Sequence, residues 1–343
     1  MRSVYWENGK VVLINQALLP KKFELIRTDD IERLAEAIRL LEVRGAPSIG
    51  VAAAYGMVLA AYQTNGMTKE EALEHLEKNA LLLKATRPTA INLFSMVDKM
   101  MDFAKERLAA DDPNLGESML QKANEIADAE VEASRLQGVY GAELIKDGMS
   151  ILTHCNCGPL CSVEYGTAVA PMILAHQQGK KIHVYSDETR PRLQGAKLNV
   201  WELNEAGVPY TLITDNSAGW VMKQKKIDMV MVGIDRTAAN GDSAAKIGVY
   251  GVSILAKYHH IPFYAVLPTS TIDMNCPTGD DIPVEERDGD EVRYIDGNLI
   301  TIPNANVLNY AFDVTPSENI TAFITEKGII YPPFKENFKK LLG

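Results

Sequence analysis

The chain has 343 residues, 46% hydrophobic and 23% charged, with a formal net charge of −10. That length and composition predict a soluble globular protein of two domains with a large core. The acidic balance argues against a surface for nucleic acid or an anionic membrane, and no apolar run reaches the about 18 residues of a membrane span.

The first residues, MRSVYWENGK, lack the apolar core of a signal peptide, and four unevenly spaced cysteines make no disulfide framework. A cytoplasmic protein with reduced thiols is expected. Val4-Tyr5-Trp6 and Lys10–Ile14 flank Asn8-Gly9, a strong hairpin signal. Asp29 or Asp30 can cap a helix carrying Ile31, Leu34, Ala35, Ile38 and Leu41 at helical spacing.

Val43-Arg44-Gly45-Ala46-Pro47 ends that helix, and Pro47 suits the first turn of the next. Ser48–Gln63 is small and apolar almost all round, which predicts a buried helix. Arg44 at its mouth fits either a structural ion pair or a bound anion. Thr68-Lys69-Glu70-Glu71 is a capping box for a helix to about Leu83. Thr86-Arg87-Pro88-Thr89 again sets an arginine before a helix-starting proline, with a helix from Ala90 to Leu108. A long helix is expected over Ser118–Lys146, ended by Asp147-Gly148. The domain boundary is placed there: residues 1–147 form a β-hairpin and helical domain, and residues 148–343 a second domain.

From Met149 short apolar runs alternate with helical stretches. Strands are expected at Met149–Thr153, Lys181–Tyr185, Tyr210–Thr214, Asp228–Gly233, Pro262–Leu267 and Thr321–Thr325. Helices are expected at Tyr165–Gln177, Ser217–Gln224 and Ala244–Tyr258. This is the pattern of an α/β, doubly wound, mostly parallel sheet. No GxGxxG follows the first strand, so the dinucleotide fingerprint is missing. Asn275–Thr301 reads as a surface loop with a hairpin at Tyr294–Ile302 and a solvated charge run at Glu285–Asp290.

Ligands in such sheets bind beyond the carboxyl ends of the strands. Those ends carry His154-Cys155-Asn156, Ser186–Arg190, Asp215–Ser217, Asp235-Arg236 and Pro268–Thr271. Helix capping accounts for Ser217 and Ser243 but not for five polar ends on one rim. Three of the four cysteines crowd into MSILTHCNCGPLC (149–161), which invites a metal reading with His154. Structural zinc, however, favours C-x2-C pairs with a second pair elsewhere, and Cys276 stands alone. Cys157 and Cys161 fit as buried small hydrophobes, whereas Cys155 sits at the strand tip where loop N–H groups favour a thiolate. Asp235 follows the apolar MVMVGI, so desolvation would favour its protonated form and a proton-transfer role; a turn-capping aspartate is the plainer alternative. Arg44, Arg87, Arg190 and Lys246 at turns and helix starts point to a small anionic substrate.

VRGAPSIG (43–50), RPTAINLF (87–94), ILTHCN (151–156), GIDRTAANGD (233–242) and AFDVTP (311–316) together resemble the methylthioribose-1-phosphate isomerase family, over nearly the whole chain. The resemblance implies an aldose–ketose isomerase of methionine salvage acting on a small phosphorylated sugar, without metal, nucleotide or other cofactor. It implies a homodimer, with a helical amino-terminal domain and a Rossmann-like carboxyl-terminal domain. The fold is shared with regulatory subunits of the translation initiation nucleotide-exchange factor and with ribose-1,5-bisphosphate isomerase. Carried over by motif, the catalytic residues fall on Cys155 and Asp235. Substrate contacts fall on Arg44, Gly45, Ala46, Arg87, Gln194, Ala245 and Lys246, and Arg190 loses its place. Cys157, Pro159, Cys161, Ala245 and Tyr310 depart from the family pattern. Several border the expected site, so 5-deoxyribose 1-phosphate stays open as the substrate. Ribose 1,5-bisphosphate and a non-catalytic regulatory role are the remaining alternatives.

Overall fold

The computed structural model describes residues 2–87 and 91–342, and for Ile91 the backbone only. The helix start expected at Pro88 to Ala90 lies outside the described residues. Two compact units emerge: residues up to 132 together with 159–165, and residues 133–158 together with those from 166 onward.

The first unit opens with β1 (Val4–Glu7), β2 (Lys10–Ile14) and β3 (Leu25–Thr28), an antiparallel sheet. Asn8 and Gly9, at φ 50° and 79°, make the tight turn that pairs Glu7 with Lys10. In α1 (Ile31–Arg39) the Asp30 carboxylate accepts the Glu32 N–H, so Asp30 is the cap. The next helix, α2 (Ala46–Tyr62), is buried from Pro47 through Ala61 and forms the centre of the unit. Its small residues let neighbours approach: a Cβ on Gly56 would meet Leu83 and Leu34, and one on Gly50 would meet Met96 and the Asn92 carbonyl. Those neighbours sit on α1, α3 (Lys69–Thr86) and α4 (Ile91–Ala109). The capping box at Thr68 and Glu71 forms as expected. Helix α5 (Leu115–Leu144) begins in this unit, and its residues from Ala133 belong to the second.

The second unit is built on β4 (Ser150–Thr153), β5 (His183–Asp187), β6 (Tyr210–Ile213) and β7 (Met229–Gly233). The helices α6 (Val169–Gln177), α7 (Val200–Glu205) and α8 (Ala218–Lys223) connect these strands in turn. The chain continues through β8 (Arg236–Ala238), β9 (Ser243–Lys246), α9 (Val249–Tyr258), β10 (Phe263–Val266) and β11 (Ile272–Asp273). A short helix α10 (Asp290–Arg293) and the hairpin β12 (Tyr294–Ile295) and β13 (Asn298–Leu299) follow. The chain closes with β14 (Phe312–Thr315), β15 (Ala322–Thr325), β16 (Gly328–Ile330) and α11 (Phe334–Leu342).

Among the described residues the main sheet has seven strands in the order β16-β15-β10-β7-β4-β5-β6, all parallel except β16. Alternation along the strands fills both faces. Val230 and Val232 of β7 enter one core with Phe263 and Phe323, while Met229 and Met231 enter the other with Val169 and Met172. A smaller sheet, β11-β8-β9-β14, carries the chain beyond β7.

Three sequence expectations are corrected. The helix expected from Ala244 begins at Val249, because Ser243–Lys246 pairs with both β8 and β14; that pairing outweighs the helical propensity of Ala244-Ala245-Lys246. Ser217 stands at the N-cap of α8 but its hydroxyl lies against Thr214 Oγ1 and makes no capping bond, and Ser243 is buried in β9. The run Glu285–Asp290 is not simply solvated. Arg287 bonds Glu285 and Glu291, and Glu291 also takes Arg192. Burial opposes ionisation of Glu291, yet the two arginines outweigh it and hold the carboxyl at about 2.

Candidate active site

In the first unit, Arg44, Gly45 and Ala46 stand at the amino end of α2. Gly45 has φ 86°, and a Cβ there would lie 2.2 Å from the Cys161 carbonyl, so only glycine fits. Residues 159–165 are fastened onto this turn. Ser48 Oγ donates to the Leu160 carbonyl and accepts from the Val163 N–H, and Gln16 Nε2 also donates to Leu160. Cys161 is buried there. Arg87 caps the carboxyl end of α3. Asn92 and Met96 of α4 pack on Gly50, in the second turn of α2.

In the second unit, Asp235, Cys155 and Gln194 follow the carboxyl ends of β7, β4 and β5, three adjacent strands. Cys155 is partly exposed and adopts φ 75°, a left-handed conformation that a non-glycine residue takes only when held. The hold is a relay. Both Asp215 oxygens accept backbone N–H groups, from Thr189 and Arg190, and the Thr189 hydroxyl accepts the Cys155 N–H at 2.9 Å. Gln194, 2% exposed, donates from Nε2 to Cys155 Sγ at 3.5 Å. The following asparagine, Asn156, donates to the buried Glu202 of α7. Cys157 is buried against Gly233 and Thr167.

Asp235 is tied to the small sheet by its N–H, which donates to the Ala244 carbonyl at 3.0 Å. Ala245 and Lys246 stand next along that strand, opposite Asp313 and Phe312 of β14. Arg236 turns away and pairs with Asp273 at 2.6 Å. Arg190 donates to the carbonyls of Pro191 and Val292, a structural use that agrees with its loss from the expected substrate contacts.

Sequence reasoning weighed His154 only as a metal ligand and missed its buried partners. His154, 1% exposed, sits between Asp187 Oδ2, 2.8 Å from Nδ1, and the Ile247 carbonyl, 2.9 Å from Nε2. A carbonyl only accepts, so Nε2 carries a proton, and a second proton lies between Nδ1 and Asp187. Burial is the largest influence on His154 and opposes its charge, but the hydrogen bond and charge of Asp187 together with the charges of Cys155 and Asp215 outweigh it, and its proton affinity is raised. Burial pushes the Asp187 carboxyl up to about 6 despite His154. His154, Asp187 and Asp215 lie close enough to hold a metal ion. Both histidine nitrogens and both Asp215 oxygens are already engaged in hydrogen bonds, so the donor set reads as a hydrogen-bond network. The only sequence signal was His154 and Asp187 both ending strands.

These two shifts have the same sign. Each group binds its proton more tightly folded than unfolded, so this pair's contribution to stability falls as pH rises. The His154 share is full below its ordinary 6.5 and is lost as pH climbs through the raised folded value, while Asp187 resists ionisation up to about 6. Urea unfolding between pH 6 and 9 is expected to show that decline, with a shallower slope in Asp187→Asn. Equal slopes would contradict the assignment.

Residues 42–332 match the initiation factor 2 subunit family. The chain belongs to that family. A methylthioribose-1-phosphate isomerase of Desulforamulus reducens is 47% identical over 99% of both chains. A 5-deoxyribose 1-phosphate isomerase of Bacillus thuringiensis is also 47% identical, over 98% of this chain and 97% of its own. Among solved structures, 5-methylthioribose 1-phosphate isomerase from Pyrococcus horikoshii aligns with a TM-score of 0.94 at 45% identity, covering 99% of this chain and 95% of that one. A translation initiation factor eIF-2B delta subunit from A. fulgidus aligns at 0.89 and 43% identity, covering 100% and 99%. The expected fold and family resemblance are borne out; these relatives also include the named isomerases expected from the motifs.

Proposed function

We propose that this member of the family is an aldose–ketose isomerase converting 5-methylthioribose 1-phosphate to 5-methylthioribulose 1-phosphate. The observation that supports the reading is that Asp235, Cys155 and Gln194 follow the carboxyl ends of three adjacent strands, in a chain with full-length relatives named for that reaction. A regulatory subunit has no need of a held, partly exposed thiol beside an aspartate-bearing strand end.

The substrate sets the chemistry. Phosphate on the anomeric oxygen prevents opening to a free aldehyde, so the ring must open while hydrogen moves from C2 to C1. Asp235 gives its proton to O4 as the C1–O4 bond breaks, leaving a cationic C1 stabilised by its remaining oxygen. Hydride passes from C2 to C1, and the C2 hydroxyl proton goes to the Cys155 thiolate as the ketone forms. One proton then returns from Cys155 to Asp235 through solvent, which closes the cycle. Gln194 orients the sulfur. Arg44, the Gly45–Ala46 turn, Arg87, Ala245 and Lys246 are the proposed substrate and phosphate contacts.

A second reading rests on the equal identity to the 5-deoxyribose 1-phosphate isomerase. Comparing kcat/KM for the methylthio, deoxy and unsubstituted ribose 1-phosphates and ribose 1,5-bisphosphate decides between them. The methylthio sugar is expected to lead; a preference for the deoxy sugar transfers the assignment to it. A cytoplasmic homodimer is part of the same reading. Tyr250, Ile254 and Tyr258, exposed at four-residue spacing on α9 beside Trp220 of α8, give it an apolar face.

A further inference from the structure

We propose that His154 and Asp187 form a buried positioning pair that holds a positive charge beneath Cys155 and keeps its sulfur as the thiolate. The inference deepens the isomerase reading and rests on Cys155 being the proton acceptor there.

Both nitrogens of a ring sealed from solvent face oxygen acceptors: the Asp187 carboxylate on one side and the Ile247 carbonyl on the other. An imidazolium satisfies both bonds, while a neutral ring must take its second bond from a protonated Asp187. The ring is also clamped. A Cβ on Gly248 would lie 2.8 Å from the His154 ring, so the turn before α9 closes directly onto it. The ring cannot swing toward solvent to lose its charge.

The charges around it favour the cation. Asp187 reaches it from β5 and Asp215 acts from beyond β6. Asp313 acts from β14 while accepting the Gly248 and Tyr250 N–H groups, with Lys246 as the opposing charge on Asp313. The fourth group is Cys155 itself, whose negative form stabilises His154. That coupling is reciprocal: a cation favoured by the thiolate favours the thiolate equally. The Gln194 Nε2–H donates to the same sulfur, which a thiolate accepts better than a thiol does. With both ring nitrogens facing oxygen acceptors, His154 works through Cys155 as a positioning residue.

The test reads the thiol without substrate. Iodoacetamide alkylation of Cys155 is followed by mass spectrometry across pH in the natural protein, His154→Gln and Asp187→Asn, with Cys155→Ala as the blank. The pH midpoint is expected to rise by about one unit in both variants, a roughly tenfold slower reaction at any pH below it. The acid limb of kcat/KM should move with it. An unchanged midpoint in a folded variant would overturn the proposal. Should neither variant fold, ring-nitrogen NMR of the natural protein decides: His154 is expected to carry protons on both nitrogens at pH 7, and a singly protonated ring overturns the proposal. Because alkylation needs no sugar, a protein that alkylates as expected yet turns over no ribose 1-phosphate overturns the isomerase reading alone.

Discussion

Replacing Asp235 with Asn, or Cys155 with Ala, is expected to lower turnover of the preferred ribose 1-phosphate by about a hundred- to ten-thousand-fold, the usual weight of a general acid or base. Asparagine keeps the shape of Asp235 but has no proton to give O4 at a useful rate. Alanine at Cys155 removes the acceptor for the C2 hydroxyl proton. Neither change should unfold the protein. Asp235 is tied through its backbone N–H, which asparagine keeps, and Cys155 through its own N–H to Thr189. Substrate affinity should change little, because the proposed phosphate contacts are elsewhere. Since both groups serve one proton cycle, the double variant should be scarcely slower than the worse single one. Near-normal kcat in either single variant, with an unchanged urea midpoint, would remove that residue from the mechanism.

Gly195→Ala should damage stability and activity together. A Cβ at Gly195 would lie 1.8 Å from the Asp187 carbonyl oxygen, a clash with backbone that no rotamer relieves. The chain must shift at one of two places. Moving Asp187 displaces its carboxylate from His154 and its carbonyl from the Thr189 hydroxyl, which in turn positions the Cys155 N–H. Moving Gly195 carries Gln194 away from the sulfur. Either way the thiol loses a support. We expect a loss of about 3 kcal/mol in unfolding free energy, at the upper end for overpacking. A misplacement of about 1 Å at the thiol costs roughly a hundredfold in kcat. A natural midpoint with natural kcat would mean that this close approach does not matter.

Much of this was legible in the chain because the signals are local. Asn8-Gly9 fixes a hairpin turn, Thr68 with Glu71 fixes a helix start, and the uninterrupted small residues of α2 announce a helix buried on all sides. The polar strand ends were visible because apolar runs stop abruptly at His154, Asp187 and Asp235. What could not be read depends on pairing between distant segments. Ala244-Ala245-Lys246 has the composition of a helix and becomes a strand because β14, almost seventy residues later, lies beside it. The role of His154 needs Asp187 and Ile247, which sequence separates by 33 and 93 positions. Glu285–Asp290 looked like a solvated run because nothing local announces that Arg287 pairs with Glu291, which also takes Arg192. Residues 159–165 follow the cysteine loop yet fasten onto α2, a contact that only the requirement for glycine at position 45 hints at.

The most direct measurement is to incubate the purified protein with 5-methylthioribose 1-phosphate in heavy water and follow carbon and proton NMR. The account predicts a C2 ketone with phosphate retained on C1 and protium, not deuterium, transferred to C1. No ketone from this substrate or from its 5-deoxy counterpart would contradict the assignment.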